Sequence, residues 1–438
     1  YAARGLQVTR TWIYINGGLS LLGFLAYSIL TPYMAASVEA DVFYFYLGGF
    51  MILLTPTVSS LIATAYATKP EVQSYGSVAF ELAKVILGAL IVAFLRLGLS
   101  GAIATIILAD LFVVGFLLFL LRDKLQGGFN GDVAKKWVFL SWIPIFGSLS
   151  GLLISLDTII LSNLTGSTLP KAYMEAPTRI SGVISSSSLL AYALYPKLLG
   201  GGGKKDVETA IKLVLLFAVP LTVGGFILAK PLLYVLREEY SITEDILRVL
   251  ALVALFTCIS GVFDAIITGT EWIELREDAT FKDYLKSKIF LLPALTYVQA
   301  TLYIPSVIAL TYYATSNQIP YVSLVFYCVL SRTITAVPIV LYKWLIAKRI
   351  MEFKIPWANL VRYLAAAGVM AIFILLFYPS GAYTERILYV LSNLLPVIAV
   401  GALIYLGIVY IIDRDAKALI DSTFSYIKNV MKSSEKAK

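Results

Sequence analysis

The chain reads as an all-α polytopic membrane protein of about twelve transmembrane helices, and three observations predict it. Of the 438 residues 59% are hydrophobic and only 14% are charged, against about 25% charged in ordinary soluble domains. Apolar runs long enough to cross about 30 Å of hydrocarbon at 1.5 Å per residue recur from end to end. Those runs are continuous, not alternating, so they are helices and not the strands of a barrel.

Taken in order, the runs predict spans near Trp12–Tyr33, Phe43–Tyr66, Ser77–Leu97, Gly101–Leu121, Trp137–Leu161 and Tyr173–Tyr195. A second set follows at Ile211–Leu228, Ile246–Ile267, Ile289–Tyr313, Tyr321–Leu345, Leu360–Tyr378 and Leu388–Ile412. Cationic residues then separate the connecting loops into two classes. One class holds Lys69, the Arg122–Lys136 cluster, Lys197, Lys204, Lys205, Lys282 to Lys288, Lys348 to Lys354 and the basic tail from Arg414. The alternate class holds only Arg96, Lys171, Lys230, Arg237 and Arg386. The positive-inside rule places the first class, and with it both ends of the chain, in the cytoplasm. The expected location is therefore the cytoplasmic membrane, among membrane lipids, and the net charge of +8 calls for no nucleic-acid partner.

Several function classes recede. There is no histidine, which removes the commonest general base, metal ligand and proton shuttle. Cys258 and Cys328 both fall inside apolar runs and read as small core residues. Gly200–Gly203 followed by Lys204 and Lys205 lies between two spans; a phosphate-cradling loop needs a strand before it and a Gly-Lys-Ser/Thr ending, so this is a linker. The segment 268–288 mixes Trp272, Ile273, Leu275, Phe281 and Leu285 with charges and reads either as an interfacial amphipathic helix or as a solvated loop. No catalytic constellation, cofactor motif or metal site emerges.

An internal rhyme suggests a repeat. Gly23-Phe-Leu-Ala leads through an acidic loop into a helix ending VSSLIATAYATK, and Gly225-Phe-Ile-Leu-Ala leads through another into ISGVFDAIITGTE. Secondary transporters are often built from such repeats. Two spans precede the second copy without counterparts before the first, so two N-terminal helices are expected to be missing. The organisation that follows is an incomplete four-helix N-terminal lobe at 1–130, a six-helix C-terminal lobe at 131–350, two further helices at 351–412 and a basic tail at 413–438.

Charges inside spans are costly and usually face a protein interior or water. Here they include Glu81, Lys84, Asp110, Asp157, Glu175, Arg179, Asp264 and Arg332. Glu81 and Lys84 share a helix face, as do Glu175 and Arg179, so both are natural pairs. Arg179 precedes Ser181 and Ser185 to Ser188, making this span unusually polar and a candidate cavity wall. A cavity arginine suits an anionic group, most naturally a phosphate; the competing reading is a buried pair that only locks helices together. Asp157, in LLISLDTIIL, is expected to meet a cation such as Arg179 on the next span or to stay protonated. Asp264 and Arg332 lie toward span ends and read equally as interface charges.

With these residues in view, the chain resembles the polysaccharide-type flippases of the multidrug/oligosaccharidyl-lipid/polysaccharide exporter superfamily, whose fold the multidrug antiporters share. The resemblance rests on WIPIFGSLSGLLISLDTIILSNLTGST, on KAYMEAPTRISGVISSSSLLAYALYPKL and on AVPLTVGGFILAKPLLYVL. It implies about fourteen helices in two lobes plus two, with the present spans as the third to the fourteenth. It also implies carriage of a polyprenyl-phosphate- or pyrophosphate-linked saccharide by alternating access. Substrate contacts are then expected at Arg179, Glu175, Asp157, Ser185 and Arg332, and coupling to a cation, proton or sodium, at Asp157 or Asp264. A drug or organic-cation antiporter of the same superfamily is the alternative, with acidic rather than basic lining as its signature. A membrane-embedded glycosyltransferase is a further alternative. It would need a sizeable polar loop with carboxylates, and the only Asp-x-Asp is Asp413-Arg414-Asp415 after the last span.

Overall fold

The computed structural model describes residues 9–37, 41–124, 128–192, 194–271, 273, 281–378, 387–419 and 421. Among them the chain is helical throughout, in the order α1 (Thr9–Ser37), α2 (Val42–Thr68), α3 (Pro70–Gly88), α4 (Gly98–Leu120), α5 (Gly131–Leu140) and α6 (Trp142–Thr165). Then come α7 (Leu169–Ser185), α8 (Leu189–Tyr192), α9 (Leu194–Leu199), α10 (Lys204–Ile227), α11 (Ala229–Leu236) and α12 (Glu244–Gly269). The last are α13 (Phe281–Lys286), α14 (Lys288–Ser316), α15 (Tyr321–Ile350), α16 (Trp357–Phe377) and α17 (Ile387–Ile412). Eleven stretches among the described residues are long and apolar enough to cross a membrane. The protein is an all-α polytopic membrane protein. Residues 272 and 274–280 of segment 268–288, and the tail beyond 421, lie outside the described residues.

Each apolar run of the sequence becomes helix, and the ends are set by local chemistry. Asp41 caps α2 by accepting from Phe43 N at 2.9 Å, and Asn130 caps α5 by accepting from the N–H groups of Asp132 and Val133. Pro70 opens α3, where its missing N–H costs nothing. The α3 helix runs on into a π-helical turn over Ala89–Phe94. The span expected at Tyr173–Tyr195 differs from the others: α7 stops at Ser185, Ser186–Ser188 form a 3₁₀ turn, and α8 and α9 continue in short pieces. The cause is the serine run, whose hydroxyls turn back onto the chain. Ser186 Oγ donates to Val183 O at 2.6 Å and Ser188 Oγ to Ser185 O at 2.7 Å, competing with the helical ladder.

The chain divides into two compact units, Tyr1–Trp142 and Ile143–Lys438. In the first, Leu61, Ala65, Val113, Leu117 and Leu121 form a core between α2 and α4, capped by Val72 of α3. Helix α5 belongs with this unit: Asn130 N donates to Thr11 Oγ1 at 2.9 Å, and Trp137 stacks edge-on to Trp12 at 5.1 Å.

The second unit has two main cores. One, around Ile154, Leu161, Met174, Tyr303, Val307, Leu324 and Cys328, joins α6, α7, α14 and the first half of α15. The other, around Val214, Leu215, Ala218, Val262, Ile266, Tyr363, Met370 and Tyr405, joins α10, α12, α16 and α17. Large apolar side chains such as Phe94 (78% exposed) and Ile411 (82%) point outward, as they must where the solvent is lipid.

Candidate functional site

The second unit collects most of the in-span charges. On α7, Arg179 Nε lies 3.5 Å from Glu175 Oε2, as the four-residue spacing predicts. The Arg179 side chain stays 81% exposed and Glu175 41%. The pair uses only Nε, so the outer guanidinium nitrogens remain open to an anion. Of the serines on the same helix, Ser181 is turned away from that role, its Oγ donating to Thr178 O at 3.0 Å, and Ser185 is half-buried. The exposed charges of this wall are Arg179 and Glu175.

Directly beside Arg179 the chemistry reverses. Ile180, Val183 and Ile184 of α7 form one wall of an apolar cleft of about 370 Å³, closed by Phe217, Leu221 and Gly224 of α10 and by α16 and α17 through Ile374 and Leu406. That volume is in the range of small-ligand sites. Tyr405, the one hydroxyl in the lining, donates to Leu216 O at 2.8 Å. Gly224 has nothing within 4 Å of where a Cβ would stand, so its missing side chain is open space in the cleft.

Asp157 finds its cation, but not Arg179. It is 2% exposed within α6; Tyr303 of α14 donates to its Oδ2 at 2.7 Å, and Arg332 Nη1 of α15 stands 3.9 Å from the same oxygen. Arg332 lies well inside the thirty residues of α15, not near its end. Asp264 of α12 is likewise answered: Lys343 of α15 sits 2.9 Å from Oδ1 and donates to Oδ2 at 3.1 Å. In the first unit Glu81 and Lys84 pair at 2.7 Å on α3, and Asp110 is buried in α4. Five expected site residues thus fall into two groups in the second unit. Arg179, Glu175 and Ser185 are on α7, while Asp157 and Arg332 meet between α6 and α15.

Tyr303 and Lys343 are the partners of the candidate carboxylates Asp157 and Asp264 that the sequence pattern does not reveal. Nothing in the local pattern marks them, because their partners lie 146 and 79 residues away. The Asp-x-Asp after the last span is also more than an interface cluster. Asp413 is 2% exposed, and its Oδ2 accepts from Asn359 Nδ2 at 2.7 Å and from Tyr363 OH at 2.6 Å. Burial pushes its carboxyl upward, but those donors and the N–H groups of Asp415 and Ala416 together hold it below the usual carboxylate value.

No family model matches the chain, and no curated protein does. Among solved structures it is similar to a lipid II flippase, MurJ, in an inward closed conformation. The TM-score is 0.54 at 14% identity, over 93% of this chain and 84% of that one. At that identity the likeness is one of fold, and it spans both units of the chain.

Proposed function

We propose that the chain is a flippase for a lipid-linked anion, of the class of polyprenyl-phosphate- or pyrophosphate-linked saccharides, working by alternating access. The single observation that carries this reading is the composition of α7. Adjacent positions present an exposed guanidinium, at Arg179, and the wall of an apolar cleft, at Ile180, Val183 and Ile184. A phosphate head on a long hydrocarbon tail is a ligand needing both chemistries within one helical turn. The shared fold with a lipid II flippase supports the same reading. An organic-cation antiporter is the weaker reading, because the more exposed member of the Glu175–Arg179 pair beside the cleft is the cation.

The barrier such a protein removes is large. Each sugar hydroxyl or amide taken into hydrocarbon without a partner costs roughly 2–7 kcal/mol, so unaided crossing of a saccharide head is very slow. Arg179 offers charge-assisted donors to the phosphate, while the cleft keeps the tail among apolar side chains.

The test is translocation of a fluorescent polyprenyl-diphosphate saccharide in proteoliposomes. A hydrogen bond to a charged group is worth about 1.5–3 kcal/mol, so Arg179→Ala is expected to slow transport by about 10–150-fold. Gly224→Leu, which fills the open space of the cleft, is expected to slow it while leaving fold and expression intact. Full activity in both variants would overturn the proposal.

A further inference from the structure

We infer that α15 is a hinged helix. Its first half is fixed in the core, its second half swings about Ser331–Pro338, and the Lys343–Asp264 ion pair is the latch that holds the arrangement seen here. The inference stands apart from what the protein carries.

Four independent features converge on one helix. The first is packing. Leu324, Val325, Cys328 and Val329 are buried against α14 and its neighbours, but from there to Ala347 no residue of α15 is buried. A stretch without buried side chains, here between Val329 and Ala347, is held less firmly than the half before it and opens at lower free energy.

The second is the backbone. Pro338 has no N–H and leaves the carbonyl of Ile334 without its helical partner. Just before it, threonine hydroxyls join the helical N–H groups on three carbonyls. Thr333 Oγ1 donates to Val329 O at 2.8 Å, and Thr335 Oγ1 donates to the carbonyls of Ser331 and Arg332, each at 3.0 Å. Hydroxyl back-bonding of this kind bends helices and keeps carbonyls satisfied when rungs break.

The third is bracing at the pivot. Gln299 Nε2 of α14 reaches Arg332 O at 3.4 Å, the hydroxyls of Ser306 and Ser331 meet, and Arg332 faces Asp157. The pivot is therefore tied to α6 and α14 on the fixed side.

The fourth is the latch itself. Lys343, three turns beyond Arg332 and past the proline, is only 14% exposed, and its ammonium meets both oxygens of Asp264 on α12. Ala347 and the partly buried Val340, Trp344 and Ile350 close the same seam. An ion pair that locks one position and is replaced by lipid or water contacts in another is a two-state element.

The lever is easily estimated. A change of about 20° at Pro338, the size of an ordinary kink, displaces Leu345, about 10 Å further along the axis at 1.5 Å per residue, by about 4 Å.

The experiment uses the full chain with nitroxides at Leu149→Cys and Leu345→Cys, both exposed sites at 48% and 49%. Leu149 of α6 lies toward the same end of the bundle as Leu345, so a sideways swing of α15 changes their separation directly. Tyr312→Cys (73% exposed) with Leu149→Cys is the reference pair away from α15. Native Cys258 and Cys328 are 0% exposed and stay unlabelled in the folded protein. In pulsed electron–electron distance measurements, Lys343→Met is expected to broaden the Leu149–Leu345 distribution or shift it by up to about 4 Å, with the reference pair unchanged. Adding Pro338→Ala, which restores the missing rung, is expected to suppress that shift. Asp264→Asn with Lys343→Met removes the latch without stranding a charge and is expected to reproduce the shift, which guards against a folding defect in the single variant. An unaltered Leu149–Leu345 distribution in both latch variants, an equal shift in the reference pair, or a shift that survives Pro338→Ala would overturn the hinge.

Discussion

Asp157 is tolerated inside α6 because two other helices meet its charge, and the two contributions are separable. At about 4 Å and an effective dielectric constant near 20, a unit-charge pair is worth about 4 kcal/mol. Arg332 is 43% exposed, so solvent screens its share below that figure. Tyr303 is fully buried, and its hydroxyl donates at 2.7 Å to the same oxygen; a hydrogen bond to a charged group contributes about 1.5–3 kcal/mol. Tyr303→Phe keeps the ring in its core and deletes only the donor, so the expected loss is that amount, read as a lower thermal midpoint in detergent. Combining it with Asp157→Asn forms a cycle in which the two effects are expected to be non-additive by about 1 kcal/mol or more. Additive effects would reduce Tyr303 to a packing ring.

At the scale of elements, α16 and α17 are joined to each other by packing and to the chain after them by one carboxylate. Gly401 of α17 lets Met370 and Ile374 approach to 3.3–3.4 Å of where its Cβ would be. Asp413, one residue beyond α17, then binds Asn359 and Tyr363 near the start of α16. Its folded-state carboxyl is held below the usual value, so its contribution to stability is complete above the unfolded value of about 3.9 and disappears as pH falls through the lower folded one. Asp413→Asn is thus expected to destabilise the protein by about 1–3 kcal/mol at neutral pH. The gap to the native chain should close in thermal scans taken below about pH 4. A gap that persists unchanged into acid would mean that the amide's own misfit, not the lost charge, causes it. The same elements show what a sequence discloses. Every apolar run became helix, because hydrocarbon allows a spanning backbone little else, and Glu175–Arg179 and Glu81–Lys84 paired as helical spacing requires. The break at Ser186–Ser188 was not legible, since a serine run reads as polar helix until its hydroxyls choose the backbone. Nor were Tyr303, Lys343 or the burial of Asp413, because those depend on which helices pack together and not on spacing along one of them.

Across the described residues, eight of the membrane-embedded charges come as neutral pairs: Glu81 with Lys84, Glu175 with Arg179, Asp157 with Arg332 and Asp264 with Lys343. Asp110, buried in the first unit, stands apart from this pattern. The pairing bears on energy coupling. A carboxylate that binds sodium during transport has to present itself without a resident cation, whereas Asp157 already holds an arginine of its own chain, braced at the fixed side of α15. An external ion would have to displace a tethered one, and tethering gives the resident a high effective concentration. Transport of the lipid-linked probe is therefore expected to keep its rate when sodium is replaced by potassium or choline at constant pH. Arg332→Gln changes that expectation. It leaves Asp157 buried with Tyr303 as its remaining cross-helix partner, and an uncompensated buried charge costs about 3–5 kcal/mol. The variant can recover that energy by drawing a cation from solution, so its activity is expected to become dependent on sodium where the native chain is indifferent. Sodium dependence of the native chain that vanishes in Asp157→Asn would show instead that Arg332 steps aside in the working cycle and that Asp157 carries the ion.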